Sequence, residues 1–87
     1  MQFYKQSQTI KLTGPMRDQF QRAVLSIPLN LAEGSAKPTP KDRRKFYRIA
    51  LGSLRETQCI LTLTNNQTLT KQADTLAAHL YCLCLKT

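Results

Sequence analysis

Apolar residues in this chain recur at steps of three and four, and short polar or proline-bearing stretches mark where each run ends. The clearest run comprises Met16, Phe20, Ala23, Val24, Ile27 and Leu31, which fall on one stripe and predict a helix over 15–33. Arg17, Asp18, Gln21 and Arg22 fall outside that stripe. Pro28 lies within the run. It lacks an amide donor and crowds the carbonyl four residues back, so a kink is expected there. The stripe stays in phase to Leu31, which argues against a break.

A second helix is predicted over 40–63, with Phe46, Ile49, Ala50, Ser53, Thr57 and Ile60 on its buried stripe and Leu54 and Leu61 alongside. Tyr47, Leu51 and Gln58 border it. Leu69, Ala73, Leu76, Ala77, Leu80, Leu83 and Cys84 predict another helix over 69–84, with Gln72, Asp74, Thr75 and His79 opposite. The opening run, Phe3, Ser7, Ile10 and Leu12, predicts only a short amphipathic helix over 3–12.

The punctuation agrees with these limits. Gly14 suits the position just past the first helix, and Pro15 suits the first turn of the next. Gly34 is expected in the left-handed conformation that ends the Pro28 helix. Thr39-Pro40-Lys41-Asp42 reads as a helix start, with Thr39 as N-cap and Pro40 at N1. Asn65-Asn66-Gln67 reads as a turn, after which Thr68 or Thr70 caps the last helix. No β-alternation of useful length and no internal repeat is present. Short connections between successive helices predict an all-α fold, an antiparallel up-down four-helix bundle with a short first helix, in one domain spanning 1–87.

Charge sharpens this picture. The 87 residues carry 13 Lys and Arg against 5 Asp and Glu, a formal charge of +8. Such an excess favours anionic partners. The cations gather in the 40–63 helix as Lys41, Arg43, Arg44, Lys45, Arg48 and Arg55. At about 100° per residue, Lys41, Arg44, Lys45, Arg48 and Arg55 lie opposite the apolar stripe. Glu56 is the single acid on that side, and Gly52 leaves a gap in it. These six cations are the candidate contacts to RNA or DNA phosphates, with Arg17 and Arg22 as additions. An acidic protein surface fits the same charge, and a solvated face is the plainest alternative, although such faces usually mix both signs.

Leu25 and Leu29 form a second apolar face on the Pro28 helix, flanked by Arg22 and Glu33. A lone domain normally keeps such a face polar. Arg22, Leu25, Leu29 and Leu51 are therefore the candidate interface between copies of the chain. Asn30 and Glu33, one turn apart, are suited to bonding across to the next helix or to a neighbouring subunit.

Enzyme chemistry finds no footing. One His, no paired carboxylates at helical spacing and no nucleophile beside a base leave nothing that resembles a catalytic constellation. Cys82 and Cys84 lie roughly 200° apart on a helix and cannot converge on one ion, and His79 with Cys82 makes half a zinc site at most. No metal and no cofactor is expected. Three cysteines without paired spacing suit a reducing, cytoplasmic compartment. The opening MQFYKQSQTIKLTG lacks the apolar core of a signal peptide, and no apolar run reaches membrane-spanning length.

Two blocks carry a resemblance that spans about half of the chain. The first runs from Arg17-Asp18-Gln19 through Arg22-Ala23 and Ser26-Ile27-Pro28 to Asn30-Leu31-Ala32-Glu33-Gly34-Ser35. The second runs from Lys41-Asp42 through Arg44 and Phe46-Tyr47 to Ile49-Ala50-Leu51-Gly52-Ser53-Leu54-Arg55-Glu56. Together they resemble the four-helix-bundle family of 23S ribosomal RNA intervening-sequence proteins, to which the accessory protein of diversity-generating retroelements is related. The resemblance implies an up-down bundle assembling into a homo-oligomeric ring, typically a pentamer, with Pro28, Asn30, Glu33, Gly34, Ser35 and Gly52 as its structural motif. It also implies nucleic acid, a reverse transcriptase or another protein as partner; the lack of a long apolar run predicts no membrane partner. The family's first helix is longer than the one here, a departure expected to touch the assembly and not the core. Ala36-Lys37 stands where the family usually has Gly or Arg.

Overall fold

Four helices make up nearly all of the described chain in a computed structural model that describes residues 2–8, 12–64 and 66–86. They are α1 (Gln2–Ser7), α2 (Gly14–Ser35), α3 (Pro40–Leu63) and α4 (Gln67–Lys86). Helix α2 packs on α3, α3 packs on α4, and the short α1 touches both α2 and α4. The directions alternate: late α2 meets early α3 where Gly34 faces Tyr47, and middle α2 meets middle α3 where Ser26 touches Ser53. The longest extent, 39 Å, is close to the length of roughly 36 Å expected of the 24-residue α3.

The core forms where the apolar stripes converge. Phe20, Val24 and Ile27 of α2, Ala50, Leu54 and Leu61 of α3, Leu69, Ala73 and Leu80 of α4, and Phe3 of α1 are all buried in one cluster. Each of the larger side chains contributes about 1.5–3 kcal/mol by leaving water. Two buried polar residues find partners locally. The Ser7 hydroxyl donates to the Tyr4 carbonyl at 2.6 Å and the Thr57 hydroxyl to the Ser53 carbonyl at 2.9 Å.

Helix α3 is rotated relative to the pattern in its sequence. Its buried line is Tyr47, Ala50, Leu54, Thr57, Ile60 and Leu61, whereas Ile49 is 44% exposed and Phe46 and Ser53 are only half-buried. The stripe drawn through Phe46 and Ile49 is thus corrected. Packing against α2 and α4 together selects the line through Tyr47, which the sequence placed at the border. Met16, expected on the α2 stripe, is 40% exposed in the first turn of that helix.

The ends hold further corrections. Helix α1 stops at Ser7, short of the expected Leu12, with Gln8 N–H reaching the Lys5 carbonyl at 3.3 Å in a tightened last turn. Ile10 lies outside the described residues. Gly14 does take the left-handed conformation, at φ +66°, but at the entrance to α2 and not at the end of α1. The residue before a proline is disfavoured in the right-handed helical region, and Gly14 avoids that conflict ahead of Pro15.

Helix α2 passes Pro28 unbroken and continues to Ser35. Gly34 is therefore inside the helix, and it is not the left-handed terminator that the sequence suggested. Its requirement is spatial. A Cβ at Gly34 would stand 2.6 Å from Cε1 of the buried Tyr47 ring and 3.2 Å from the Arg43 carbonyl oxygen. Helix α3 starts as expected, with the Thr39 hydroxyl accepting the Asp42 N–H at 3.2 Å and Pro40 in the first turn. Helix α4 starts differently. Asn66, not Thr68 or Thr70, is the cap: its Oδ1 accepts the Leu69 N–H at 3.0 Å and its carbonyl the Thr70 N–H at 3.0 Å. Asn65 lies outside the described residues.

These contacts set two stability predictions. Gly34→Val should destabilise by about 1–3 kcal/mol through overcrowding. Pairing it with Tyr47→Ala should cost less than the sum of the two single changes in urea melts, because the clash then has no ring. Asn66→Ala should cost about 1 kcal/mol, and Thr68→Ala should stay within about 0.5 kcal/mol of the wild type in the same assay.

Candidate nucleic-acid interface

Helix α3 carries the cations because its inward line is full. With Tyr47, Ala50, Leu54, Thr57 and Leu61 turned into the bundle, the positions one third to one half of a turn away must face water. Lys41, Lys45, Arg48 and Arg55 are all exposed there, and Arg44 is half-buried among them. Lys41, Asp42, Arg44, Lys45 and Arg48 line an open depression at the start of the helix. From Lys41 to Arg55 the row runs about 21 Å along the helix axis. Gly52 interrupts it where a Cβ would meet nothing within 4 Å, so the backbone there is openly accessible.

Arg43 stands apart from this row. Its side chain is half-buried and donates from Nη1 to the Lys37 carbonyl at 3.1 Å, which ties the α2–α3 connection to the start of α3. Arg17 and Arg22 are exposed on α2. Among the described residues, Lys37 pairs with Glu33 at 3.6 Å, one turn apart and at the surface. Lys41, Lys45, Arg48 and Arg55 form no ion pair with a carboxylate among the described residues, although Asp42 lines the same depression and Glu56 follows Arg55. The Asp74 carboxylate accepts instead from the Gln58 amide at 2.8 Å, joining α4 to α3.

The apolar face also takes shape across two helices. Leu25 is 44% and Leu29 57% exposed on α2. Leu29 is one turn from Ser26, and Ile49 is one turn from Ser53; these two serines touch at 2.8 Å. Leu29 and Ile49 therefore flank the α2–α3 seam, with Leu25 beside them. Leu51, which the sequence grouped with Leu25 and Leu29, is half-buried and packs against the core. The sequence missed Ile49 because its spacing from Phe46 and Ala50 fits a buried stripe equally well.

Polar groups hold the seam between these flanks. The Asn30 amide donates to the Ser26 hydroxyl at 2.9 Å and to the Ser26 carbonyl at 2.8 Å, and the Ser53 hydroxyl completes the link at 2.8 Å. Asn30 thus bonds within its own helix and reaches α3 only through Ser26. Glu33 bonds to Lys37 and not to α3. The Lys37 ammonium lies 5.1 Å from the Phe46 ring centroid, an attractive contact with no signature in the residue pattern.

Among the described residues, no group of three His, Cys, Asp or Glu side chains converges to hold a metal ion. No helix among them is long and apolar enough to cross a membrane. Cys59 and Cys82 are exposed and Cys84 is buried, all as free thiols.

An all-α bundle with a basic row on one helix places the chain among small basic helical-bundle proteins. The chain belongs to the family described as 23S rRNA-intervening sequence protein, whose profile it matches over residues 2–85. No curated protein and no solved structure matches it. The family's description names no reaction.

Proposed function

We propose that this chain is a small basic bundle protein that assembles with copies of itself and binds nucleic acid without sequence specificity through the outer row of α3. The observation that supports this is the row itself: Lys41, Lys45, Arg48 and Arg55 exposed on one helix without an ion pair to any carboxylate among the described residues. Each cation that meets a phosphate releases condensed counterions, so affinity falls steeply with salt and depends little on base sequence. A ring of copies, for which the resemblance implies a pentamer, repeats the row and turns weak contacts into avidity. Leu25, Leu29 and Ile49 are the surface on which copies meet, and the setting is the cytoplasm.

A second reading keeps the assembly and drops the nucleic acid. In it the chain is an oligomeric adaptor whose basic row receives an acidic protein, a reverse transcriptase being the partner the resemblance implies. The exposed leucines favour assembly under both readings, so what the row binds distinguishes them.

The deciding experiment is retention of labelled RNA and DNA over a salt series, with the mass in solution measured alongside. Arg44→Glu with Arg48→Glu should reduce retention at least about tenfold at low salt while helicity is unchanged. Unchanged retention would remove the row from the site. Leu25→Asp with Leu29→Asp should lower the mass to that of a single chain without loss of helicity, and an unchanged mass would place the interface elsewhere.

A further inference from the structure

The row on α3 lies along one continuous helix and holds no aromatic ring, and we infer that it is built for the double-helical phosphate backbone and not for an unpaired strand. This deepens the nucleic-acid reading and rests on it. A flexible single strand must be ordered when it binds, and proteins that hold one without sequence preference offset that cost by stacking successive bases on aromatic side chains. The chain has six aromatic residues, and they do not supply such a track. Phe3, Phe20 and Tyr47 are buried in the bundle. Phe46 is half-buried with the Lys37 ammonium over its ring, and Tyr4 is half-buried on α1. Tyr81 is the one mostly exposed ring, at 52%, and it stands on α4, outside the row. One ring stacks one base and makes no platform.

The row instead offers charge in a fixed line. Lys41, Arg48 and Arg55 are spaced seven residues apart, two near-complete turns, so they stay on one side of the helix at intervals of about 10.5 Å. Lys45 lies beside them, and Gly52 clears bulk from the middle of the line. A duplex presents phosphates that are already ordered over far more than this length, and at twice the charge density of a single strand. Binding then requires little ordering of the nucleic-acid backbone. Contacts to a phosphate backbone need no base edges, so the affinity they give depends on charge and little on sequence. RNA and DNA duplexes share this chemistry.

The test uses the full chain with a short RNA duplex, a DNA duplex of the same sequence, and unstructured oligouridine and oligothymidine of equal length, followed by fluorescence anisotropy across a salt series. At least one duplex should bind about tenfold or more tighter than either single strand. Arg48→Gln with Arg55→Gln should lower the slope of log affinity against log salt for that duplex by about 1.8, two phosphate contacts' worth. Tyr81→Ala should leave duplex affinity unchanged. Single strands that bind as tightly as both duplexes, or a tenfold loss with Tyr81→Ala, would overturn the duplex assignment and leave nucleic-acid binding standing. Failure of every probe to bind at low salt would overturn the parent reading, and the duplex assignment with it.

Discussion

The close approach of α2 and α3 is the constraint on which the rest depends. At one end of their contact Gly34 lies against the buried Tyr47 ring, where a Cβ would come within 2.6 Å. Towards the middle, Ser26 and Ser53 meet at 2.8 Å. Small side chains at both places let the two helices come together, and close packing makes their relative rotation hard to change. Once Tyr47 is fixed over Gly34, the rotation of α3 about its own axis is set. The inward line of Ala50, Leu54, Thr57 and Leu61 follows, and so does the outward placement of Lys41, Arg48 and Arg55.

The same rotation turns Ile49 outward. A side chain that could have filled the core is instead 44% exposed beside the seam, near Leu29 and Leu25. Lys45 is one turn from Ile49 on the same helix, so the apolar edge and the basic row adjoin. Assembly through the edge would leave the row at the rim of the contact, where its charges stay hydrated and available. Two surfaces of opposite character thus arise from a single helix because packing claims only one of its sides.

The polar seam between them carries a different kind of information. Ser26, Asn30 and Ser53 form a chain of hydrogen bonds that satisfies each group near a half-buried surface. Hydrophobic burial is tolerant of small slides along a helix, whereas this chain has one register. Arg43, bonded to the Lys37 carbonyl, fixes the connection at the end of the pair where Gly34 meets Tyr47. Arg43 and Arg48 illustrate how neighbours in one cationic helix divide their work: one anchors a loop and the other faces solvent.

Helical periodicity, proline placement and charge clustering were enough to read four helices, the Thr39 cap and the cationic character of α3 from residues alone, because these depend on neighbours in sequence. They were not enough where two interpretations share one local pattern. Gly34 after Glu33 fits a helix terminator or a close contact, and only the position of Tyr47 across the seam distinguishes them. Phe46, Ile49 and Ala50 fit one buried stripe and Tyr47, Ala50 and Leu54 another, about a quarter of a turn apart. Asn66 and Thr68 are both competent caps, and the choice follows from where α4 begins against the end of α3. The sequence by itself determined that the chain is helical, basic and doubly apolar. Tertiary packing decided which side of α3 faces water, because burial is a property of what surrounds a side chain and not of the side chain alone.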